Sequence, residues 1–491
     1  MRRVAQMLAH LNQGDESHRI RVRAYGSAFA PLSLFKWRDS LKRSFFCSLL
    51  FCALAPSMLP AASPVLLISL AGLRPDAVLE AEKHGLKIPN LRRFVAEGAY
   101  STGVHGVLPT VTYPSHTTLV TGVLPAVHGI LNNATFDPQL TNRQGWYWYA
   151  EDLKVPTLWD AAAKGGLSAA SINWPVTVGA KNIKYLIPEY WRAGSSDDHK
   201  LLRVLSTPGL LDEIERATPP IPDGHDTSTA AEEIRTKAAI YVIEHYHPQL
   251  LTLHYGAFNH AQHVYSPFSK EANAVLEALD GDIGQLSQAA WKADPNAVVA
   301  VVSDHGFVGT DKEVNLNSFM IATNRITYGP FSSFSGAPTV TSWKAAIWPA
   351  GGSAAIVLAD PKDEKTCQEV REYFTVLSKT PINGIAAVIG SEELRRRGAF
   401  PNACALIEME LGTQIGPGSQ GHASIPLKPK EGENGYYPEL PDMFAAFFVA
   451  GKSIAPNQNL GDIDMRQVAP TLAAILGVDL PTADYKPIAL K

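Results

Sequence analysis

The sequence shows neither a strong excess of one charge nor a repeated or low-complexity pattern. Its 491 residues include 43 Lys and Arg against 47 Asp and Glu, for a formal net charge of −4. Nothing in this balance favours a nucleic-acid polymer as partner. With 46% hydrophobic and 18% charged residues, a disordered or fibrous chain is excluded. We expect one large α/β domain, or such a domain with an inserted cap.

A hydrophobic run long enough to span a membrane comfortably is missing from the amino end. The apolar run at residues 44–59 follows Lys42 and Arg43, is interrupted by Pro56, and precedes small residues suited to cleavage. This is the anatomy of a signal peptide, whereas a membrane helix needs about 20 apolar residues. We predict a signal peptide over residues 41–62 and a periplasmic or secreted protein without a stable membrane span after cleavage.

Residues 1–40 precede this signal and carry several arginines without a clear apolar period. A start codon assigned too early explains such a basic extension, and a cytoplasmic extension before a retained anchor is the alternative. The mature domain is then residues 63–491.

Cysteine is scarce, with four residues in the chain. Cys47 and Cys52 fall within the predicted signal, which leaves Cys367 and Cys404 to the mature domain. In an oxidising compartment these two form either one disulfide or two free thiols.

Strand-like and helix-like segments alternate from residue 64 onward. Largely apolar runs, typical of strands buried on both faces of a parallel sheet, lie at residues 65–70, 250–254 and 297–303. Helical spacing of apolar residues predicts helices over 89–97, 230–245 and 271–290. The alternation predicts a doubly wound α/β architecture.

Other segments have their own signals. Residues 146–226, rich in Trp, Tyr and Pro, are a candidate substrate-shaping insertion, and the Gly/Pro/Ser-rich residues 328–340 are predicted to form a long loop. Residues 443–451 favour a strand, and residues 470–476 a closing helix with Pro470 in its first turn.

Polar groups that follow the predicted strands are the candidates for a site, because ligands bind beyond the carboxyl ends of parallel strands. Asp304 and His305 follow one strand, Asn259 and His263 follow another, and Ala71 follows the first. A lone Asp-His pair also fits ordinary capping and surface roles. Convergence at strand ends favours a shared site.

Thr112 lies just before the helix-like residues 117–121, which Gly122 closes. A hydroxyl at the amino end of a helix faces unpaired backbone N–H groups and the positive end of the helix dipole, which suits a phosphoryl group. An ordinary Thr helix cap explains the same pattern.

Residues 109–133, PTVTYPSHTTLVTGVLPAVHGILNN, resemble the nucleophile segment of the nucleotide pyrophosphatase/phosphodiesterase (type I phosphodiesterase) family of the alkaline phosphatase superfamily. Matches at 67–76, 259–267, 303–307 and 435–443 extend the resemblance over essentially all of the mature domain. It implies an alkaline-phosphatase-like fold, in which helices and cap-like insertions flank a mostly parallel central sheet. It also implies hydrolysis of phosphodiester or phosphomonoester bonds. A sulfatase is excluded, because no Cys or Ser stands in a C/S-x-P-S-R context.

The resemblance implies that Thr112 is the nucleophile and forms a phosphothreonine intermediate. It places Asn133 and the backbone N–H of Tyr113 at the non-bridging phosphoryl oxygens. The ring of Tyr113, with Trp174, Tyr190 and Trp191, would hold a base or another flat leaving group. His116 and His128 recur in the family segment and are assigned structural roles.

The resemblance also implies two zinc ions. The nucleophile-side ion would be held by position 71, Asp304, His305 and Thr112. The water-side ion would be held by position 259, His263 and a late His.

The chain departs from this ligand set at three positions. Ala71 and Asn259 stand where family members have Asp, and the register of residues 432–443 puts Asn434 where the late His belongs. His422 is the alternative, a substitute ligand if its loop folds back. A catalytic zinc uses three protein ligands, so both sites are depleted.

Two functions from different classes follow. The first is an exported, metal-dependent hydrolase of nucleotide-like phosphoric esters, impaired by the missing ligands. The second is a pseudoenzyme that binds a phosphorylated ligand or a protein partner without turnover.

Overall fold

The computed structural model of the protein describes residues 62–142, 145–192, 194, 196–331, 338–418 and 423–491. The predicted basic extension over residues 1–40 lies outside the described residues. The predicted signal peptide over residues 41–62 does so except for its last residue, and His422 does so as well.

The α-helices are numbered along the chain. They are α1 Pro75–Leu79, α2 Pro89–Glu97, α3 Thr112–Thr121, α4 Pro125–His128, α5 Leu158–Lys164, α6 Ser196–Leu205, α7 Leu210–Ile214, α8 Thr229–Tyr246, α9 Ala257–Tyr265, α10 Lys270–Ala293, α11 Leu316–Ala322, α12 Glu364–Leu377, α13 Ser391–Arg396 and α14 Val468–Ile475.

The strands are numbered in the same way. They are β1 Val65–Leu70, β2 Ala99–Tyr100, β3 Gly103–His105, β4 Ala169–Ile172, β5 Tyr185–Ile187, β6 Leu250–Tyr255, β7 Val298–Val302, β8 Val308–Val314, β9 Ile326–Phe331, β10 Pro338–Trp343, β11 Ala345–Ala350, β12 Ser353–Leu358, β13 Ile385–Gly390, β14 Ala403–Met409, β15 Thr413–Ile415, β16 Ser424–Glu433, β17 Phe447–Ala450, β18 Gln458–Asn459 and β19 Asp462–Asp464.

The main sheet has eight strands in the order β18–β2–β17–β7–β1–β6–β4–β5. The five strands from β7 to β5 run parallel, and β17 runs antiparallel to both of its neighbours. Val65 at the start of β1 lies beside Leu250 of β6 and Val298 of β7. The three strands predicted from apolar runs are therefore neighbours, and the predicted α/β fold with a mostly parallel sheet is confirmed.

Strand β1 is buried on both faces, which explains its unbroken apolar sequence. Leu66 and Ile68 belong to a core with residues of α2, α8 and α10. Val65 and Leu67 belong to the core on the other face, with residues of α3, α5 and α14. Helices therefore cover both faces of the sheet, and the open edge at the strand carboxyl ends is left for a ligand.

A second, antiparallel sheet has the order β11–β12–β14–β13. A disulfide joins Cys404 of β14 to Cys367 of α12, with the two Cα atoms 5.7 Å apart. The sequence allowed either a disulfide or two free thiols at these cysteines, and the structure contains the disulfide.

This second sheet packs against the segment that leads into α3. Trp348 and Leu406 of the sheet share one core with Leu108 and Val111. A third sheet, β15–β8–β16, brings the end of β16 close to α9. Both sheets thus position elements that surround the site.

The prediction of a long loop over residues 328–340 is wrong at both ends of that range, and residues 332–337 lie outside the described residues. Strands β9 and β10 form an antiparallel pair there, with Ile326 opposite Trp343. Residues that favour strands, such as Thr327, Val340 and Thr341, flank the Gly- and Ser-rich part, and their pairing outweighs the turn composition. The closing helix was placed correctly, although α14 begins at Val468, ahead of Pro470.

Candidate active site

A cleft of about 910 Å³ opens beyond the carboxyl ends of β1 and β6. Ala71 follows β1, Asn259 and His263 lie on α9 after β6, and Thr112 begins α3, and all four line the cleft. This is the edge at which open α/β sheets bind ligands. The structure therefore brings four of the predicted positions to one wall.

The predicted insertion over residues 146–226 supplies much of the remaining wall. Its lining residues are aromatic, acidic or imidazole-bearing: Trp146, Glu189, Trp191, His199, Asp223, His225 and Asp226. The ring centroids of Trp146 and Trp191 lie 5.0 Å apart, and that of Tyr113 lies 5.2 Å from Trp146. Such an aromatic group suits stacking on a base or another flat leaving group.

Trp174 and Tyr190, proposed from the sequence to face the substrate, lie in the core. Trp174 is fully buried and packs against His116. Tyr190 is buried against Trp148. Removing such large rings from water stabilises the fold more than leaving them on the wall of the cleft. Trp146 and the predicted Trp191 line the cleft instead.

Thr112 is the first residue of α3 and follows an extended Val111. Gly122 ends the helix at a φ of +73°, a left-handed conformation that favours glycine. Thr112 is half-buried and lines the cleft. It is therefore available to a ligand at the positive end of the α3 dipole.

The two predicted phosphoryl-oxygen donors are bonded to each other. The backbone N–H of Tyr113 donates to Oδ1 of Asn133 at 2.8 Å. The Tyr113 hydroxyl donates to Oε1 of Glu189 at 3.3 Å. With the Tyr113 N–H engaged, the side-chain amide N–H groups of Asn133 are the donors left to a ligand.

Asp304 and His305 are fully buried at the carboxyl end of β7. Oδ1 of Asp304 accepts hydrogen bonds from the backbone N–H groups of Gly72 and His305, at 2.9 and 3.1 Å. Oδ2 makes no hydrogen bond. Burial would raise the pKa of Asp304, but the imidazoles of His305 and His116 and the donated N–H groups hold that pKa well below its usual range.

His116 contacts both Thr112 and this carboxylate. Its Nδ1 donates to the carbonyl of Thr112 at 2.8 Å and lies 3.6 Å from Oδ2 of Asp304. Its Nε2 accepts from the Ser69 hydroxyl at 2.8 Å. Burial lowers the pKa of His116 to about 3, so the ring is neutral. One structural imidazole thus brings Thr112 and Asp304 together.

Asn434 occupies the position next to His305. The Nδ1–H of His305 donates to the Gly306 carbonyl at 2.9 Å, so its Nε2 is an acceptor. The Asn434 amide donates to that Nε2 at 3.1 Å and to the Thr110 carbonyl at 3.0 Å. The ring nitrogen that would face a metal is therefore capped by a neutral amide.

His263 and Asn259 form the other half of the predicted metal set. Nδ1 of His263 donates to the Gly432 carbonyl at 3.0 Å and lies 3.6 Å from Oε1 of Glu433. The ring packs edge-on against Phe307, with centroids 4.8 Å apart. Oδ1 of Asn259 is buried without a hydrogen-bond partner.

These residues do not fit a two-zinc centre. Ala71 has no ligand atom, and Nε2 of His305 accepts a hydrogen bond from Asn434. In the part of the chain that the structure describes, no three His, Cys, Asp or Glu side chains are grouped to hold a metal ion. A catalytic zinc needs three protein ligands, and Oδ2 of Asp304 with Nε2 of His305, which lie 3.1 Å apart, are too few to supply them.

A buried pair on the cleft wall, Glu189 and His254, was not among the residues predicted from the sequence. Oε2 of Glu189 lies 3.1 Å from Nδ1 of His254, and both residues line the cleft. Glu189 lies two residues after β5, so the rule for groups at strand ends would have found it. His254 lies inside β6, where a side chain is ordinarily core.

A family model described as type I phosphodiesterase/nucleotide pyrophosphatase matches residues 65–407. An uncharacterized pyrophosphatase/phosphodiesterase of Schizosaccharomyces pombe is 27% identical over 254 residues, which cover 50% of this chain and 45% of that protein. Human ectonucleotide pyrophosphatase/phosphodiesterase family member 1 is 24% identical over 284 residues, which cover 54% and 26%. The chain thus spans less than half the length of these curated relatives.

Solved structures of the same kind are similar over most of the chain. Human ectonucleotide pyrophosphatase/phosphodiesterase 5 has a TM-score of 0.59 at 18% identity, covering 85% of this chain and 96% of that one. An inactive variant of the murine protein in complex with AMP has a TM-score of 0.60 at 19% identity, covering 87% and 97%. These likenesses show that the fold is alkaline-phosphatase-like, as the sequence resemblance implies.

Proposed function

Since the chain belongs to the type I phosphodiesterase/nucleotide pyrophosphatase family, whose members are phosphoric ester hydrolases, we propose that it hydrolyses nucleotide-like phosphoric esters at low efficiency. The observation that carries the proposal is the position of Thr112, open to the cleft at the amino end of α3. The aromatic group of Trp146 and Trp191 and the AMP bound to the murine relative support a nucleotide-like ligand.

The proposed chemistry is carried by Thr112. Attack of its Oγ1 on phosphorus forms a phosphothreonine as the bond to the leaving oxygen breaks, and the hydroxyl proton passes to solvent water. Water then cleaves the phosphothreonine and restores the hydroxyl. The amino end of α3 and the amide of Asn133 support the negative oxygens.

The low efficiency follows from the depleted ligand set. In two-metal sites the ions stabilise the attacking and the leaving oxygens together, and the residues that the structure describes do not supply the side chains for that arrangement. Loss of a few kcal/mol of transition-state stabilisation slows a reaction by orders of magnitude. No step of the proposed chemistry passes through zinc, although zinc is the metal that the family resemblance implies.

Hydrolysis of a chromogenic phosphodiester, bis(4-nitrophenyl) phosphate, tests the proposal. We expect slow release of nitrophenol by the wild type, partial retention by Thr112→Ser and loss in Thr112→Ala. The Ser variant keeps a hydroxyl at the same helix position and serves as the matched control. A wild-type rate equal to that of Thr112→Ala contradicts hydrolysis at Thr112.

The second candidate is a pseudoenzyme that binds a phosphorylated ligand or a partner in the same cleft. The hydrogen bond from Asn434 to Nε2 of His305 favours it, because a metal-binding atom is used for structure. AMP binding by calorimetry, without turnover of the chromogenic ester, is the result expected of this candidate.

We also propose export, with cleavage near Ala62 or Ser63. Among the residues described, no helix is both long and apolar enough to cross a membrane. Amino-terminal sequencing of secreted or periplasmic protein tests the cleavage site. A cytoplasmic product that retains residues 1–60 contradicts export.

A further inference from the structure

Glu189 and His254 form a buried carboxylate–imidazole pair on the cleft wall, apart from the predicted zinc ligands. Nδ1 of His254 lies 3.1 Å from Oε2 of Glu189 and 3.2 Å from the Asn173 carbonyl. His254 is 5% exposed, yet its Nε2 has no hydrogen-bond partner. Because Nδ1 faces two acceptors, the ring carries its hydrogen there, and Nε2 is the atom left for a ligand.

The groups around His254 are mostly neutral or negative. The neutral His116 ring lies 4.5 Å away between centroids. The carboxylates of Glu189, Asp304 and Glu232 favour the protonated form of His254, and Glu232 is itself paired with Arg235. Burial would lower the pKa of His254, but these carboxylates, Glu189 first, raise it above its usual value. A protonated ring is therefore stabilised next to the cleft.

The cleft is otherwise poor in positive charge. Among its described lining residues, Arg235 carries the permanent positive charge, and its guanidinium is bonded to Glu232 at 2.8 Å. A phosphoric ester brings at least one negative charge, which needs a donor or a cation to compensate its desolvation. His254 lines the cleft and has a buried ring nitrogen without a hydrogen-bond partner.

We propose that His254, held by Glu189, donates its Nε2–H to an anionic oxygen of the phosphoric ester and supplies positive charge that the depleted zinc set does not. The inference rests on the proposed binding of nucleotide-like esters in this cleft. It makes ligand binding dependent on pH, because the donor is present only while the ring is protonated. It also gives Glu189 a positioning role, since its carboxylate fixes the ring and favours the proton.

The test is the pH dependence of binding of the 5′-methyl ester of AMP, measured by calorimetry between pH 5.5 and 9. This diester keeps one negative charge throughout, whereas AMP itself titrates near pH 6. Adenosine is the probe without phosphate. We expect wild-type affinity for the diester to fall about tenfold as pH rises, the size of a charge-assisted hydrogen bond, while affinity for adenosine stays constant.

Three variants separate the roles. His254→Asn should bind the diester weakly at every pH, with a flat profile. Glu189→Gln should move the fall in affinity to lower pH. His245→Asn, a substitution of an exposed histidine on α8 that does not line the cleft, is the matched control and should keep the wild-type profile. Melting temperatures show whether each variant is folded.

Each outcome decides the inference. A flat wild-type profile, or a wild-type profile in folded His254→Asn, overturns it and leaves the proposed ligand class standing. If His254→Asn does not fold, the Glu189→Gln profile and the NMR titration of His254 with and without diester decide, since bound diester must raise the pKa of His254. If the wild type binds neither the diester nor AMP, both the inference and the proposed function fail.

Discussion

The Asn434 amide donates one hydrogen bond to Nε2 of His305, at 3.1 Å, and another to the Thr110 carbonyl, at 3.0 Å. The residue thereby ties His305 to the segment that leads into Thr112. Two ligand atoms expected from the family resemblance are therefore affected. Asn434 stands where an imidazole is expected, and its amide occupies Nε2 of His305.

Restoration of the ligands tests this view. Ala71→Asp, Asn259→Asp and Asn434→His together should raise zinc content to two ions. Each rebuilt site should increase phosphodiester hydrolysis on the order of a hundredfold, if it gains about 3 kcal/mol of transition-state stabilisation. Zinc stoichiometry and hydrolysis are measured for the parent, for each site restored alone and for the full restoration.

Thr112→Ala in each background is the blank for that series. A parent that already binds two zinc ions and matches the restored protein shows that the losses are compensated. A restored protein with two ions that stays at the blank shows that the catalytic roles are assigned wrongly.

The aromatic wall predicts which part of a nucleotide is recognised. Trp191→Ala should weaken AMP binding about tenfold, because base stacking on an aromatic ring contributes about 1–3 kcal/mol, and should leave inorganic phosphate binding unchanged. Trp174→Phe is the control in the core: it should lower the melting temperature without changing AMP affinity. Equal loss of AMP and phosphate affinity in Trp191→Ala argues against stacking.

Glu408 predicts a pH dependence of stability. Its side chain is 5% exposed on β14, and burial raises its pKa to about 8 from the ordinary 4.5. The folded state therefore binds this proton more tightly than the unfolded state, so stability falls as pH rises from about 4.5 through 8. In urea unfolding, Glu408→Gln should lose about 4 kcal/mol less stability than the wild type between pH 5 and 9. If both proteins lose the same stability over this pH range, Glu408 is not the cause of the pH dependence.

The disulfide predicts a measurable loss on reduction. Cys367 and Cys404 are 37 residues apart in sequence, and closing such a loop in the unfolded chain is worth about 3–4 kcal/mol. The double variant Cys367→Ser, Cys404→Ser should lose this amount in urea unfolding, and the wild type in reductant should match it. Unchanged stability of the reduced wild type contradicts the prediction.

Local sequence signals were sufficient for the main elements. The unbroken apolar run of β1 and the Pro-led helix α2 have the predicted limits, because burial on both faces and proline punctuation act within a few residues. The end of α3 at Gly122 follows from the left-handed conformation required there. Segments of this kind carry their structure in their own composition.

The site was harder to predict, because its details depend on contacts between distant segments. Glu189 and His254 are 65 residues apart, and neither residue alone signals the pair. Likewise, the sequence around each residue does not indicate that Trp174 is buried while Trp146 lines the cleft. Strand ends gave the location of the site, and side-chain packing decided which residues reach it.

The second sheet is more than an addition to the main one. The indole N–H of Trp348 donates to the Ala134 carbonyl at 3.0 Å, and the Asn132 amide donates to the Pro349 carbonyl at 2.9 Å. These bonds hold the chain on the far side of α3, while Val111 packs on the same sheet just ahead of Thr112. A shortened protein from which residues 308–434 had been excised would therefore lose the scaffold of its nucleophile, so this part of the chain is not a removable module.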